Sequence, residues 1–265
     1  MIRNSLKKSL ESLRQEGISQ ALLSRIDPNQ NYRFRFHTFK NRIINGFGYT
    51  AVADPYKTID IRPRKVEARI SHYGGEILIP NAVSSGLGQI KAGDWDSPDH
   101  ETKVEAIEKV NYFSERFEEG LDLEETSYYQ WVYDKQEESG MYKKNGFDSL
   151  EKYVRHRLEK YDDLYLDIKE GGYKASHDGE NLKPGVTHPI KDRLEVEVSI
   201  GRDGSIYLYD GHHRFGIARA LDLEIPVHVI CRHEKWQEIR DDIYKSGLRD
   251  QYWHLKDHPD LQDII

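Results

Sequence analysis

The clearest pattern in the chain lies between Leu194 and Ile230. Leu194, Val196, Val198 and Ile200 alternate with Glu195, Glu197 and Ser199, the period-two signature of a half-buried strand with one apolar and one solvent-facing side. Gly201-Arg202-Asp203-Gly204 reads as a hairpin turn, and Ile206 and Leu208 resume the alternation through Tyr209. The polar run Asp210-Gly211-His212-His213-Arg214 follows. Phe215, Ile217, Ala218, Ala220 and Leu221 then take up helical spacing. Pro226 opens a third strand, in which Val227, Val229 and Cys231 alternate and His228 is expected to face solvent.

The remainder is predicted more coarsely. Leu6, Leu10 and Leu13, then Ile18, Leu22 and Leu23, predict an amphipathic helix up to about Ile26 with a break at Gly17. From Asn31 to Phe39 aromatic and basic residues alternate. This predicts a half-exposed strand with Tyr32, Phe34 and Phe36 on one face and Arg33, Arg35 and His37 on a solvated basic face, or a stacking platform for nucleic acid. Strand-like runs at Lys57–Ile61, Val66–Ile70 and Glu76–Ile79 punctuate a Gly- and Pro-rich region. In its closing loop Trp95 is read as an anchor and Asp94 and Asp96 as caps. Helices are expected over Val104–Phe117, around Tyr128–Tyr133, from Leu150 to the Gly171-Gly172 pair, and over Glu234–Lys245. Tyr173–Asp192 is a long breaker-rich connection, a class usually functional or mobile. The tail with Trp253, His254 and His258 resembles a docking segment, and Pro259-Asp260 suggests a turn.

Composition narrows the function classes. Charged residues make up 32% of the 265 positions, where roughly 25% is usual. No apolar run approaches the roughly 20 residues that span a bilayer, so no membrane partner is expected. A lone cysteine, Cys231, excludes an internal disulfide and suits a reducing cytoplasm. With 39 basic against 46 acidic side chains the net charge is −7, which gives no broad footprint for nucleic acid.

The chemistry gathers at residues 210–214. A polar loop there feeds a helix start, where unpaired N–H groups and a partial positive charge favour an anion. Gly211 permits close backbone approach, and His212, His213 and the forked Arg214 add donors. The set points to phosphate. Asp210 suits a metal bridging phosphate oxygens, or a proton acceptor.

Asp210-Gly211-His212-His213-Arg214, between paired strands and a helix, resembles the ParB/sulfiredoxin superfamily, closest in pattern to its free serine kinases, whose box follows Asp-Gly-His. Tyr161–Gly172 resembles the glycine-ended helix before the paired strands, Leu223–Val229 the closing Ile-Pro-Val strand, and Tyr56–Ile61 an opening strand. His212 stands where sulfiredoxins carry their catalytic cysteine, so that chemistry is not expected. ParB partition proteins carry a helix-turn-helix domain after this core, for which the 34 residues after Cys231 leave too little room.

The resemblance implies an α+β (mixed) fold. Residues 1–55 form an N-terminal helix and strand extension. Residues 56–231 form the ParB/sulfiredoxin-like domain, with an insertion at about 62–145, and 232–265 form a C-terminal helix and tail. It also implies a nucleoside di- or triphosphate and Mg2+. Gly211, His213 and Arg214 would contact phosphate with His212 nearby, Asp210 would hold metal or act in catalysis, and Glu67 or Glu76 would supply a second acidic group. The expected function is an Mg-dependent phosphotransferase or nucleotide hydrolase acting on a small-molecule acceptor. The alternative is a ParB-like DNA-binding protein or nuclease with a nucleotide-gated switch, supported by Arg33, Arg35 and the Arg62–Lys65 cluster.

Overall fold

The computed structural model describes residues 31–70, 78–175 and 194–265. The expected helix before Ile26, Glu76, and nearly all of the 173–192 connection lie outside them. Seven strands make one mixed sheet: β1 (Ile59–Ile61), β2 (Ala68–Ile70), β3 (Gln89–Lys91), β4 (Glu101–Lys103), β5 (Val196–Ile200), β6 (Ile206–Asp210) and β7 (Ile225–His233). Among the described residues eight α-helices accompany them: α1 (Asn31–Gly48), α2 (Ala82–Ser85), α3 (Glu108–Phe117), α4 (Ser127–Ser139), α5 (Met141–Lys144), α6 (Leu150–Gly171), α7 (His212–Ala220) and α8 (Glu234–Ser246). The fold is α+β.

The order across the sheet is β1-β7-β5-β6-β2-β4, with β3 also paired to β7. β5 and β6 form the expected antiparallel hairpin, and α7 carries the chain to β7, which lies parallel to β5. β1 pairs antiparallel with Ile225–Val227, and β3 pairs parallel with Cys231–His233, so the two share one edge of β7. Residues 62–145, set apart in sequence as an insertion, supply β2, β3 and β4 to this same sheet.

Three apolar clusters hold the layers together. On one sheet face Val196, Val198, Ile200, Val227 and Val229 meet Phe215 and Ala218 of α7 and Trp236 and Ile243 of α8. On the other face Leu194, Tyr207, Ile230 and Cys231 lie under Phe34, Ala82, Leu87 and Trp95. A helical layer of α3, α4 and α6 packs on Ile217 and Ala220. α3 and α7 cross closely at Gly216, where a Cβ would come within 2.8 Å of the Val110 carbonyl oxygen.

Three expectations are corrected here. Residues 31–39 are helical, not a strand. The positions the fold buries are Phe34, Thr38 and Asn45, spaced four and seven apart, and tertiary hydrogen bonds fix that choice over the local alternation. Thr38 Oγ1 accepts from the Leu87 N–H at 3.1 Å, and Asn41 Nδ2 donates to the Ser85 and Leu87 carbonyls at 3.0 Å. Asn45 Nδ2 donates to the Gly88 carbonyl at 2.7 Å. Tyr32 and Phe36, expected beside Phe34, are exposed. The second correction concerns β5, the residue before it and β7: Glu195, Glu197 and His228 are buried rather than solvent-facing. Glu197 and His228 lie on the sheet face that α1, α2 and the 78–95 segment cover, and Glu195 is enclosed by Arg214 of α7 and Tyr173. Leu78 and Ile79, expected to close a strand, lie in an irregular bend.

Of the tail residues read as a docking segment, His258 lies against Trp236 and contacts the Gly204 carbonyl, while Trp253 and His254 are exposed. Asp260 is buried between Arg232 and Arg240, pairing with Arg232 through both oxygens, accepting from Trp236 Nε1 at 2.9 Å and lying 3.3 Å from Arg240 Nη1. Despite burial, the Arg232 and Arg240 guanidinium groups hold its carboxyl below the usual range. The Trp95 reading also holds: its ring is buried, and Asp96 accepts from the Arg202 backbone N–H and guanidinium, pinning the β5–β6 turn.

Candidate anion site at the start of helix α7

β6 ends at Asp210, and Gly211 turns the chain into α7 with φ +84°. A side chain at 211 would place its Cβ 2.9 Å from Val196 Cα, so both the left-handed backbone and the close approach to β5 require glycine. Gly211 makes no side-chain cap, and its own N–H turns back to Asp210 Oδ1 at 2.7 Å. The first turn of α7 therefore presents N–H groups that no cap satisfies, with the positive end of the helix dipole behind them.

Asp210 is exposed beside that turn. His212 bridges it to Arg69 on β2: Nε2 lies 3.2 Å from Arg69 Nη1 and Nδ1 lies 3.5 Å from Asp210 Oδ1. A guanidinium only donates, so His212 Nε2 accepts and the proton of the neutral ring sits on Nδ1, aimed at Asp210. The contact with His212, the Gly211 N–H and the charge of Lys109 hold the Asp210 carboxyl below its usual range. Glu108 and Lys109, at the start of α3, bring one charge of each sign: Glu108 acts on Arg69, and Lys109 on Asp210 and His213.

The rest of the box divides. His213 turns into the helical layer, its ring stacked on Tyr161 at 3.8 Å and its Nε2 3.1 Å from the Tyr128 hydroxyl. Burial first, then the charges of Lys109, His212 and Arg157, push its pKa down to about 3, so the ring is neutral and only its backbone N–H is positioned for an anion. Arg214 points to the other side of the turn. It donates to the Leu194 carbonyl at 2.6 Å and to Glu195 Oε2 at 3.2 Å, and the same oxygen accepts from the Tyr173 hydroxyl at 2.8 Å. There it lines a cavity of ≈ 570 Å³ with Ile168, Gly172, Tyr173 and Lys174.

Glu67 stands exposed just before β2, with its carbonyl accepting from the Val104 N–H at 2.9 Å; Glu76 is outside the described residues. The carboxyl that β-sheet register brings beside Asp210 is instead Glu197, aligned with Asp210 on one side and His228 on the other. Burial first, then the Asp210 charge, pushes Glu197 up to about 8. Arg69, Lys109 and Glu197 were missed in sequence. Nothing local marks the first two, and Glu197 sat in an alternation that reads as solvent-facing.

Among the described residues no group of three or more His, Cys, Asp or Glu side chains could hold a metal ion. Asp210 is the exposed carboxylate at this turn and would be the residue to hold an Mg2+, an ion that commonly takes one or two protein carboxylates and would supply charge neutralisation there. The basic cluster at 62–65 is partly committed: Arg64 donates to the Arg219 and Ala220 carbonyls at the end of α7 and pairs with Glu118 at 3.0 Å. The chain matches no family model, no curated protein and no solved structure.

Proposed function

We propose that the protein binds a nucleoside di- or triphosphate at the start of α7 and acts as an Mg-dependent phosphotransferase or nucleotide hydrolase on a small molecule. The observation that carries this reading is the uncapped first turn of α7 opening beside an exposed, ionised Asp210, with Arg69 and Lys109 adding positive charge. Its placement between paired strands and a helix, ahead of a closing strand, is also what the ParB/sulfiredoxin resemblance implies.

Terminal phosphate oxygens accept from the N–H groups of His212 and His213, and Arg69 balances their charge from β2. His212, held by Arg69, donates through Nδ1 and fixes the Asp210 carboxylate. Asp210 then faces the ligand as an ionised acceptor for an attacking hydroxyl proton or as a metal ligand. When bound, Mg2+ supplies charge neutralisation across the phosphate oxygens. Arg214, assigned to phosphate by the resemblance, instead braces Leu194 and Glu195 and acts by positioning the turn.

Calorimetry with ATP, ADP and CTP, with and without Mg2+, tests the reading on wild type, Arg69→Ala and Asp210→Asn. Wild type is expected to bind at least one nucleotide. Arg69→Ala should weaken binding in both conditions, and Asp210→Asn should abolish the Mg2+ enhancement alone. Absence of binding to wild type, or unchanged affinity in Arg69→Ala, overturns it. A DNA-binding reading has less support, because Arg64 is committed to the end of α7.

A further inference from the structure

Helix α1 is tied to the fold by polar side chains and turns an apolar stripe outward. Thr38, Asn41 and Asn45 hydrogen-bond to the 85–88 loop. Just past the end of the helix, Asp241 of α8 accepts from the Thr50 and Ala51 N–H groups at 2.9 and 2.8 Å. The outer stripe consists of Tyr32, Phe36, Phe39, Ile43 and Phe47, which are 71%, 64%, 63%, 45% and 90% exposed. At 3.6 residues per turn these five fall within an arc of about 80° on a helix about 27 Å long. A contiguous apolar surface of this kind marks an interface. Both borders of the stripe are basic: exposed Arg33 and Lys40 lie along one and exposed Arg42 along the other. Residues 31–48 include no acidic side chain, although the whole chain carries a net charge of −7.

Charge selects the occupant. Neither a second copy of α1 nor residues 1–26, with five basic against two acidic side chains, brings the opposite sign. A nucleic acid would bring it, but phosphates reaching both basic borders would lie across Ile43, which offers neither a donor nor a ring for a base to stack on. An anionic bilayer matches all three bands at once. The apolar stripe sinks to the boundary between headgroups and acyl chains, and the flanking cations stay at headgroup level. Such a helix needs one apolar face and no spanning length, and no described helix is long and apolar enough to cross a membrane. We propose that the outer face of α1 docks the protein on the surface of a bilayer that contains anionic phospholipid. The hydrogen bonds on its inner side hold the helix as a preformed platform, so the stripe inserts without refolding.

Sedimentation of the full-length chain with vesicles tests this, using phosphatidylcholine alone and an equimolar mixture with phosphatidylserine. Wild type should sediment with the mixed vesicles, far less with phosphatidylcholine alone, and should be released by high salt. Lys40→Gln with Arg42→Gln should weaken partitioning about 25-fold, at about fivefold for each basic residue removed. Phe47→Asp should weaken it by about tenfold or more. These side chains are exposed, so both variants should keep the wild-type Tm, which separates lost docking from lost folding. Cys231 is buried, so Phe47→Cys can carry an environment-sensitive fluorophore at that position alone. Its emission should shift to the blue with mixed vesicles, and the same label on Lys152→Cys, exposed on α6, should not shift. No sedimentation of wild type, equal sedimentation with both vesicles, undiminished sedimentation of either variant, or no greater shift at 47 than at 152 overturns the proposal. So does self-association abolished by Phe47→Asp in place of vesicle binding, which would give the face to a second copy. Single-stranded DNA binding abolished by Lys40→Gln with Arg42→Gln, again in place of vesicle binding, would give it to nucleic acid and equally overturn the proposal.

Discussion

Glu197 on β5 and His228 on β7 are register partners on adjacent parallel strands, and each carries a buried polar atom with no hydrogen-bond partner among the described residues: Glu197 Oε2 and His228 Nε2. His228 Nδ1 accepts from the Glu195 N–H at 3.0 Å, so its proton sits on Nε2. Burial first, then the charge of Arg214, pushes His228 down to about 4, while Glu197 is raised to about 8. Both side chains are therefore neutral near pH 7, which is how a buried pair avoids the cost of an unbalanced charge.

A pH dependence follows with a defined sign. Folding raises the Glu197 pKa, so its contribution to stability is complete below the ordinary Glu range and is lost as pH rises toward 8. Glu197→Gln should remove that decline, and its Tm should overtake that of wild type at pH 9. The difference should be on the order of a few kcal/mol, measured by thermal unfolding across the pH series. A parallel decline in the variant would refute the assignment.

His213 offers a contrast with the sequence expectation. His213→Phe keeps the stack on Tyr161 and loses the contact with the Tyr128 hydroxyl, a cost of about 1 kcal/mol. Nucleotide affinity should not change, because only the backbone N–H at this position faces the anion. The variant should also lose an acid-sensitive component of stability, since a depressed histidine stabilises above its ordinary pKa and ceases to as pH falls toward 3.

Asp260→Ala leaves Arg232 and Arg240 buried without their shared carboxylate. Removing one partner of a buried charge set costs about 3–5 kcal/mol, so the urea midpoint should fall sharply. Trp236, whose indole N–H donates to Asp260, serves as the fluorescence probe. In wild type this contribution is present above the ordinary Asp range and fades as pH drops below it.

Gly211→Ala should both destabilise and disable the site. The left-handed φ alone costs a non-glycine residue about 1–2 kcal/mol, and the new Cβ meets Val196 backbone that has no room to yield. Nucleotide binding should fall with it, as the first turn of α7 shifts; unaltered affinity would place the ligand elsewhere.

The hairpin, the box, α7 and β7 were legible because their pattern is local: alternation, a turn, a polar run, then helical spacing. The α1 segment was misread because its alternation of aromatic and basic residues is equally local, whereas the hydrogen bonds of Thr38, Asn41 and Asn45 that decide it come from residues more than forty positions away. Glu195, Glu197 and His228 were placed on the wrong side for a related reason. Alternation reports that one face of a strand is apolar, and it does not say whether the polar face is also covered. Arg69 and Lys109 join the candidate site only through β2 pairing with β6 and α3 packing on α7, which no motif announces.

β1 and β3 lie end to end along one margin of the sheet, and β4 closes the opposite margin. Each is three residues long. A strand that brief offers an incoming polypeptide too few consecutive backbone groups to template on, and the antiparallel-then-parallel change along β7 prevents one straight segment from pairing with both halves. Among the described residues, the margins of this sheet thus give another chain little to pair with, a safeguard independent of net charge.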